Sequence, residues 1–256
     1  MTAHRDCLAR VRGNMQTRRR GAFMGGALRG LKGMKSYTED GVLVLADISG
    51  FTAFVTATEI EHGPPIIADL LGEVMRQLSP PLEIQEVEGD AVFALGPDRA
   101  LAPPVMLLDV LDGAFAAFRA RQLELEADQS CSCNACRSVS SLDLKIVAHH
   151  GRFLRQMVGG LGQVAGVDVI LAHRLLKNGW VRSRAYLLLT EAALRWIGAD
   201  PTRAGLVAHT ERYEHLGDIR CFVRAFEPPG RDAAIRTGFA SPARAAVLDD
   251  VAVGRL

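Results

Sequence analysis

Gly41-Val42-Leu43-Val44-Leu45-Ala46, followed by Asp47-Ile48-Ser49-Gly50-Phe51-Thr52, is the stretch from which the fold is read. Its first half is a short apolar, partly β-branched run bounded by glycine, the pattern of a buried strand. Its second half ends that strand in a turn and opens a helix near Phe51.

The neighbouring segments extend the pattern. Residues 66–78 carry apolar side chains at helical spacing and stop at Ser79-Pro80-Pro81. Residues 82–87 and 91–95 are short strands around Glu88-Gly89-Asp90, which makes a hairpin. A long amphipathic helix is predicted over 105–127. Leu142, Leu144, Ile146 and Ala148 alternate as in a strand with one buried face, and 153–158 is predicted to pair back with it across Gly151. Residues 167–177 form a helix that stops at Asn178-Gly179, and two elements at 185–197 and 215–226 close the domain. Strand, helix, hairpin, helix, strand is a split βαβ order, which predicts an α+β, ferredoxin-like sheet with helices on one face.

The 256 residues are 48% hydrophobic and 23% charged, the balance of an ordinary globular chain. No run approaches the ~20 uninterrupted apolar residues that a bilayer demands. The 30 basic and 29 acidic side chains are unevenly spread, however. Before Tyr37 there are nine basic residues, among them Arg18-Arg19-Arg20, and one acid, Asp6. With those set aside, 21 basic and 28 acidic groups remain, a net of −7. The expected organisation is a basic flexible arm at 1–37, a domain at 38–228 with a Cys-rich insert at 128–141, and a loose tail at 229–256. The arm lacks the apolar run of a secretory signal and reads first as a solvated extension, with a transit segment or an anion-seeking tail as the alternatives. A cytoplasmic protein is expected, with neither nucleic acid nor membrane as partner.

Asp47 and Asp90 carry the most chemistry. The first strand and the hairpin are neighbours in a split βαβ sheet, which puts both carboxylates at adjacent strand ends. They repel each other unless a cation lies between, and a hard divalent ion that also takes substrate phosphates fills that role. A helix opening at Ser49-Gly50-Phe51-Thr52 adds free N–H groups suited to phosphate oxygens. The plainer reading of the same residues is a helix cap and a turn.

The stretch 45–52 resembles the first metal-binding motif of the class III adenylyl and guanylyl cyclases. Glu88-Gly89-Asp90-Ala91-Val92 resembles their second, and Leu144-Lys145-Ile146-Val147-Ala148-His149-His150-Gly151 the strand before their dimerisation arm. Gly166 with Ala172-His173-Arg174-Leu175 is similar to the helix that bears their transition-state residues. More narrowly, Tyr213-Glu214-His215-Leu216-Gly217, His173-Arg174-Leu175-Leu176-Lys177-Asn178 and the Cys-rich insert resemble a bacterial cyclase-fold branch of unknown function, DUF2652.

The resemblance implies two Mg²⁺ or Mn²⁺ ions on Asp47, Asp90 and the Ile48 carbonyl, and a nucleoside triphosphate held near Ser49, Gly50, Phe51, Thr52 and Glu86. It also implies a head-to-tail homodimer and a catalytic Arg174 stabilising phosphate charge, a role worth ~3–4 kcal/mol. Cyclisation of GTP or ATP, a phosphorus–oxygen lyase reaction, follows if the set is complete. It departs from the family at four places. Ile170 replaces the ribose-orienting asparagine and has no hydrogen-bonding group. Glu86 stands where adenylyl cyclases have a base-reading lysine and guanylyl cyclases a glutamate. Gln163 replaces its partner, and no late lysine is evident near His215-Leu216-Gly217. The alternative is a catalytically degenerate sensor or interaction module in signalling, with a structural zinc site.

That zinc would sit on Cys131, Cys133 and Cys136, three of the chain's five cysteines within six residues. Zinc wants four ligands, and Cys221, His149, His150 or a dimer partner are the expected sources of the fourth. An unligated loop is the plainer alternative.

Overall fold

The computed structural model describes residues 36–128 and 131–226. The arm at 1–37, but for its last two residues, and the tail at 229–256 lie outside them; Tyr37 already belongs to the first strand. In chain order the elements are β1 (Tyr37–Ser49), α1 (Phe51–Ala57), α2 (Gly63–Leu78), β2 (Glu83–Glu88), β3 (Ala91–Pro97) and α3 (Met106–Ala127). They continue with α4 (Asn134–Ser138), β4 (Asp143–Val158), β5 (Leu161–Ala165), α5 (Val167–Leu176), β6 (Tyr186–Thr190), α6 (Glu191–Ile197), β7 (Val207–Tyr213) and β8 (Gly217–Ala225).

The strands form one sheet in the order β2-β3-β1-β4-β6-β8-β7, and β5 pairs with the far end of β4. β1 is central and antiparallel to both β3 and β4, while β4 and β6 run parallel. Val42, Leu43 and Val44 are fully buried. A strand apolar on both sides needs both sheet faces covered, and the packing shows that they are. Val42, Val44, Ala46 and Ile48 pack with α2, α3 and α6. Leu43 and Leu45 pack on the opposite face with Phe93, Val147 and Val169, Leu171, Ala172, Leu175 and Leu176 of α5. The expectation of helices on one face is therefore corrected. A split βαβ order alone does not say where a third crossover goes, and the apolar side of α5 finds its cover on the other face.

Gly151 does not turn the chain. β4 runs straight through it, pairs with β1 from Asp143 to Arg155, and turns back into β5 only after Val158. The glycine is needed because a Cβ there would strike the Asp168 side chain of α5. The expected element at 185–197 is two: a fully buried strand, β6, then α6, with Thr190 capping the helix through its hydroxyl. β7 has no counterpart among the expected elements, because its burial alternates weakly at a sheet edge.

The insert is tied in from below. Gln122 of α3 is fully buried, and its amide donates to the Val139 and Leu142 carbonyls at 2.6 and 2.8 Å. Burying an amide without those acceptors would cost a few kcal/mol.

Candidate functional site

Two clusters carry the chemistry. The first lies where β1 ends. Asp47 is two residues beyond Leu45, so strand alternation puts it on the α5 face. It stands in register with Ala91 of β3 and Lys145 of β4. Asp90 is in the β2–β3 turn behind Gly89, whose φ of 60° gives the tight left-handed bend that glycine tolerates. The Asp90 carbonyl accepts the Ile48 N–H at 3.0 Å, which clamps the hairpin tip to the end of β1.

The Asp90 carboxyl is pushed up to about 6, first by burial and then by the negative charge of Asp47. On the other side of Asp47, the Lys145 ammonium lies 3.1 Å from Oδ2. The pair thus has hard oxygen donors, an excess of negative charge and one built-in counter-ion. That donor chemistry fits Mg²⁺ or Mn²⁺.

Glu86 reaches this face through irregular geometry. A bulge between Ile84 and Glu86 sets it opposite Phe93, on the side shared with Leu45 and Asp47. Its side chain is exposed. The turn 49–52 is held rigid: Ser49 Oγ donates to the Arg184 carbonyl at 2.8 Å, and the Arg184 guanidinium donates back to the Ser49 and Ser141 carbonyls. Gly50 has φ 91°, and a Cβ there would strike the Arg184 guanidinium. Phe51 packs partly on the core, Thr52 is exposed, and the Ile48 side chain is buried in the core.

Arg174 is elsewhere. It lies on the exposed side of α5, where Nη1 donates to the Glu214 carbonyl at 3.4 Å. With Ile170, His173, Lys177 and Tyr213 it borders an open surface hollow. The hydrogen bond described for Arg174 is with the Glu214 carbonyl, and Asp47 pairs with Lys145 instead.

The second cluster is the insert. Cys131, Cys133 and Cys136 are free thiols beside His62, whose Nδ1 is 3.0 Å from Cys133 Sγ and 3.5 Å from Cys131 Sγ. His62 precedes α2 and is 69 residues before Cys131. No local motif marks it; only the packing of α1, α2 and α4 brings it there. The three expected fourth ligands are excluded by position. Cys221 is buried on the α5 face, whereas Cys133 and Cys136 pack on the other. His149 is buried, with Nδ1 on Thr190 Oγ1 at 2.9 Å and Nε2 on Asp168 at 3.1 Å. His150 pairs with Asp98 and stacks on Trp196. It also lies seven residues along β4 from Asp143, or ~23 Å of strand.

A family model described as a protein of unknown function, DUF2652, matches residues 67–186. An uncharacterized protein of Mycobacterium tuberculosis is 31% identical over 137 residues, 54% of this chain and 63% of that protein. This chain therefore matches less than two thirds of that relative's length. Among solved structures, the adenylyl cyclase CyaB from P. aeruginosa superposes with a TM-score of 0.59 at 15% identity, over 77% of this chain and 98% of that one. The guanylyl cyclase Cya2 gives 0.58 at 14% identity, over 75% and 96%. A class III adenylyl cyclase-like ATP-binding protein from Pseudomonas aeruginosa gives 0.52 at 18% identity, over 63% and 35%. The fold is that of the class III cyclases. Among the described residues, no helix is long and apolar enough to cross a membrane.

Proposed function

We propose that this DUF2652-related chain with the class III cyclase fold is a divalent-metal-dependent nucleoside-triphosphate-binding domain that works as a homodimer. The observation that carries the reading is the juxtaposition of Asp47 and Asp90 at adjacent strand ends, where the charge of Asp47 raises the Asp90 carboxyl. A folded protein keeps such a pair in repulsion when a cation compensates it in the working state. Bound there, Mg²⁺ or Mn²⁺ neutralises triphosphate charge and polarises the phosphoryl oxygens. The chain's own part is to hold the carboxylates and to fix the 49–52 turn through Arg184. Lys145 shares the charge of Asp47, and Glu86 offers an acceptor to a base edge.

In this reading Arg174 meets the phosphates from a second chain, as the cyclase resemblance implies, which makes the homodimer part of it. Apolar side chains on the β4–β5 arm and the start of α5 support such a contact. Leu161 is 71% exposed, Val167 63% and Ile170 53%. An apolar patch of this kind marks an interaction surface.

A non-catalytic, ligand-sensing role is the second reading, and Ile170 favours it. It presents an alkyl group where the cyclase resemblance requires a ribose-orienting amide. ATP binding, named for one of the structural relatives, is compatible with either reading. Calorimetric titration with Mn²⁺–ATP and Mn²⁺–GTP tests the common premise. Saturable binding by the wild type, lost in Asp47→Ala, is expected; equal binding by both proteins overturns it. Chromatography of the same mixtures for a cyclic nucleotide then separates enzyme from sensor.

A further inference from the structure

We propose that His62, Cys131, Cys133 and Cys136 bind one Zn²⁺ ion, which fastens the α1–α2 corner to the insert ahead of β4. The inference does not depend on nucleotide binding. The imidazole nitrogen and the three sulfurs all lie within 4.8 Å of one another. A tetrahedral Cys₃His site with Zn–S of ~2.3 Å and Zn–N of ~2.0–2.1 Å has ligand–ligand edges of about 3.5–3.8 Å. The Nδ1 distance of 3.5 Å to Cys131 Sγ meets the lower end of that range, and the 3.0 Å to Cys133 Sγ is about half an ångström short of it. Small side-chain movements close the shell.

The local geometry is that of a site built for a metal. Cys133 caps α4, and its sulfur accepts the Cys136 N–H at 3.4 Å. The two thiols of Cys133-Asn134-Ala135-Cys136 are thereby turned to the same side. Beside them, the Glu59 carboxylate accepts the Asn134 and Ala135 N–H groups at 3.1 and 3.2 Å. The α1–α2 corner thus already meets the first turn of α4, and Ala135 beneath it is fully buried. Buried Gln122 holds the far side of the insert.

Ligand chemistry decides the ion. Three thiolates and an imidazole select zinc over the magnesium or manganese suited to Asp47 and Asp90. Four protein ligands leave no open position, so the site is structural. Its mechanical effect follows from connectivity. α1 begins at Phe51, just after the carboxylate pair's strand, and ends just before the corner that holds His62. A metal joining residues 69 apart removes loop entropy from the unfolded chain, as any cross-link does.

The full chain, purified reduced and without chelator, is expected to contain about one zinc by elemental analysis. Replacement by Co²⁺ is expected to give the visible bands of tetrahedral cobalt and a thiolate charge-transfer band. His62→Ala is expected to lower zinc affinity ~10-fold or more and to reduce the melting temperature. His62→Cys, which supplies a fourth thiolate, is expected to restore both. That rescue distinguishes ligation from a merely packed histidine. Negligible zinc after reconstitution with ZnCl₂, no tetrahedral cobalt spectrum, or a Cys133–Cys136 disulfide in the reduced preparation would overturn the proposal. Nucleotide titration of Asp47→Ala, with its zinc intact, keeps this outcome separate from that of the nucleotide site.

Discussion

Replacing Asp90 with asparagine removes one of two repelling carboxyls while keeping shape and the Ile48 N–H to residue-90 carbonyl bond. The folded state holds the Asp90 carboxyl at about 6, against an ordinary 3.8. Between about pH 4 and 6 the unfolded chain therefore binds fewer protons at this group than the folded one, and stability falls as pH rises through that window. At 1.36 kcal/mol per pKa unit the loss is at most about 3 kcal/mol above pH 6. Asp90 is half-buried, and solvent screening trims this to about 1–2 kcal/mol. Asp90→Asn escapes the loss. Urea unfolding in buffer without added divalent metal is the assay. With a slope of about 2 kcal/mol per molar urea, the variant's midpoint should rise by roughly 0.5–1 M at pH 7.5. The gap should close toward pH 4, where wild-type Asp90 is protonated. A variant less stable than wild type at pH 7.5, or a gap that does not change with pH, would refute the electrostatic account. If Mn²⁺ occupies the pair as proposed, adding it should narrow the gap by stabilising only the wild type.

Gly50→Ala should destabilise by about 1–3 kcal/mol, because φ 91° is costly for alanine and its Cβ meets the Arg184 guanidinium. Thermal denaturation of Gly50→Ala with and without Arg184→Ala checks this; full recovery in the double variant would remove backbone strain from the explanation. Burial holds His149 below its usual value despite the Asp168 partner. The folded state therefore resists its protonation, so this contribution is present above the unfolded value of about 6.5 and is lost as pH falls below it. Comparing the stability–pH profiles of wild type and His149→Gln tests the assignment. An identical acid slope in the variant would assign the loss to other groups.

Much of this protein is legible in its residues. The run from Gly41 to Thr52 states a buried strand, a stop and a helix start, because local sterics and apolar patterning act over a few residues. The Gly89-Asp90 tip marks the hairpin for the same reason, and neighbouring strands then place Asp47 beside Asp90. The Cys131-Cys133-Cys136 spacing points to a metal, as ligands close in sequence are close in space. What the residues did not disclose depends on packing. No local pattern says that α5 covers the second sheet face, that β4 continues through Gly151, or that Lys145 comes into register with Asp47. Glu86 reaches the site face only through a bulge whose position pairing decides. His62 is the plainest case. It sits 69 residues from the first of the cysteines, and nothing in its own neighbourhood prefers it to His149 or His150. Only the fold, which engages those two with other partners and sets the α1–α2 corner on the insert, decides which imidazole completes the cluster.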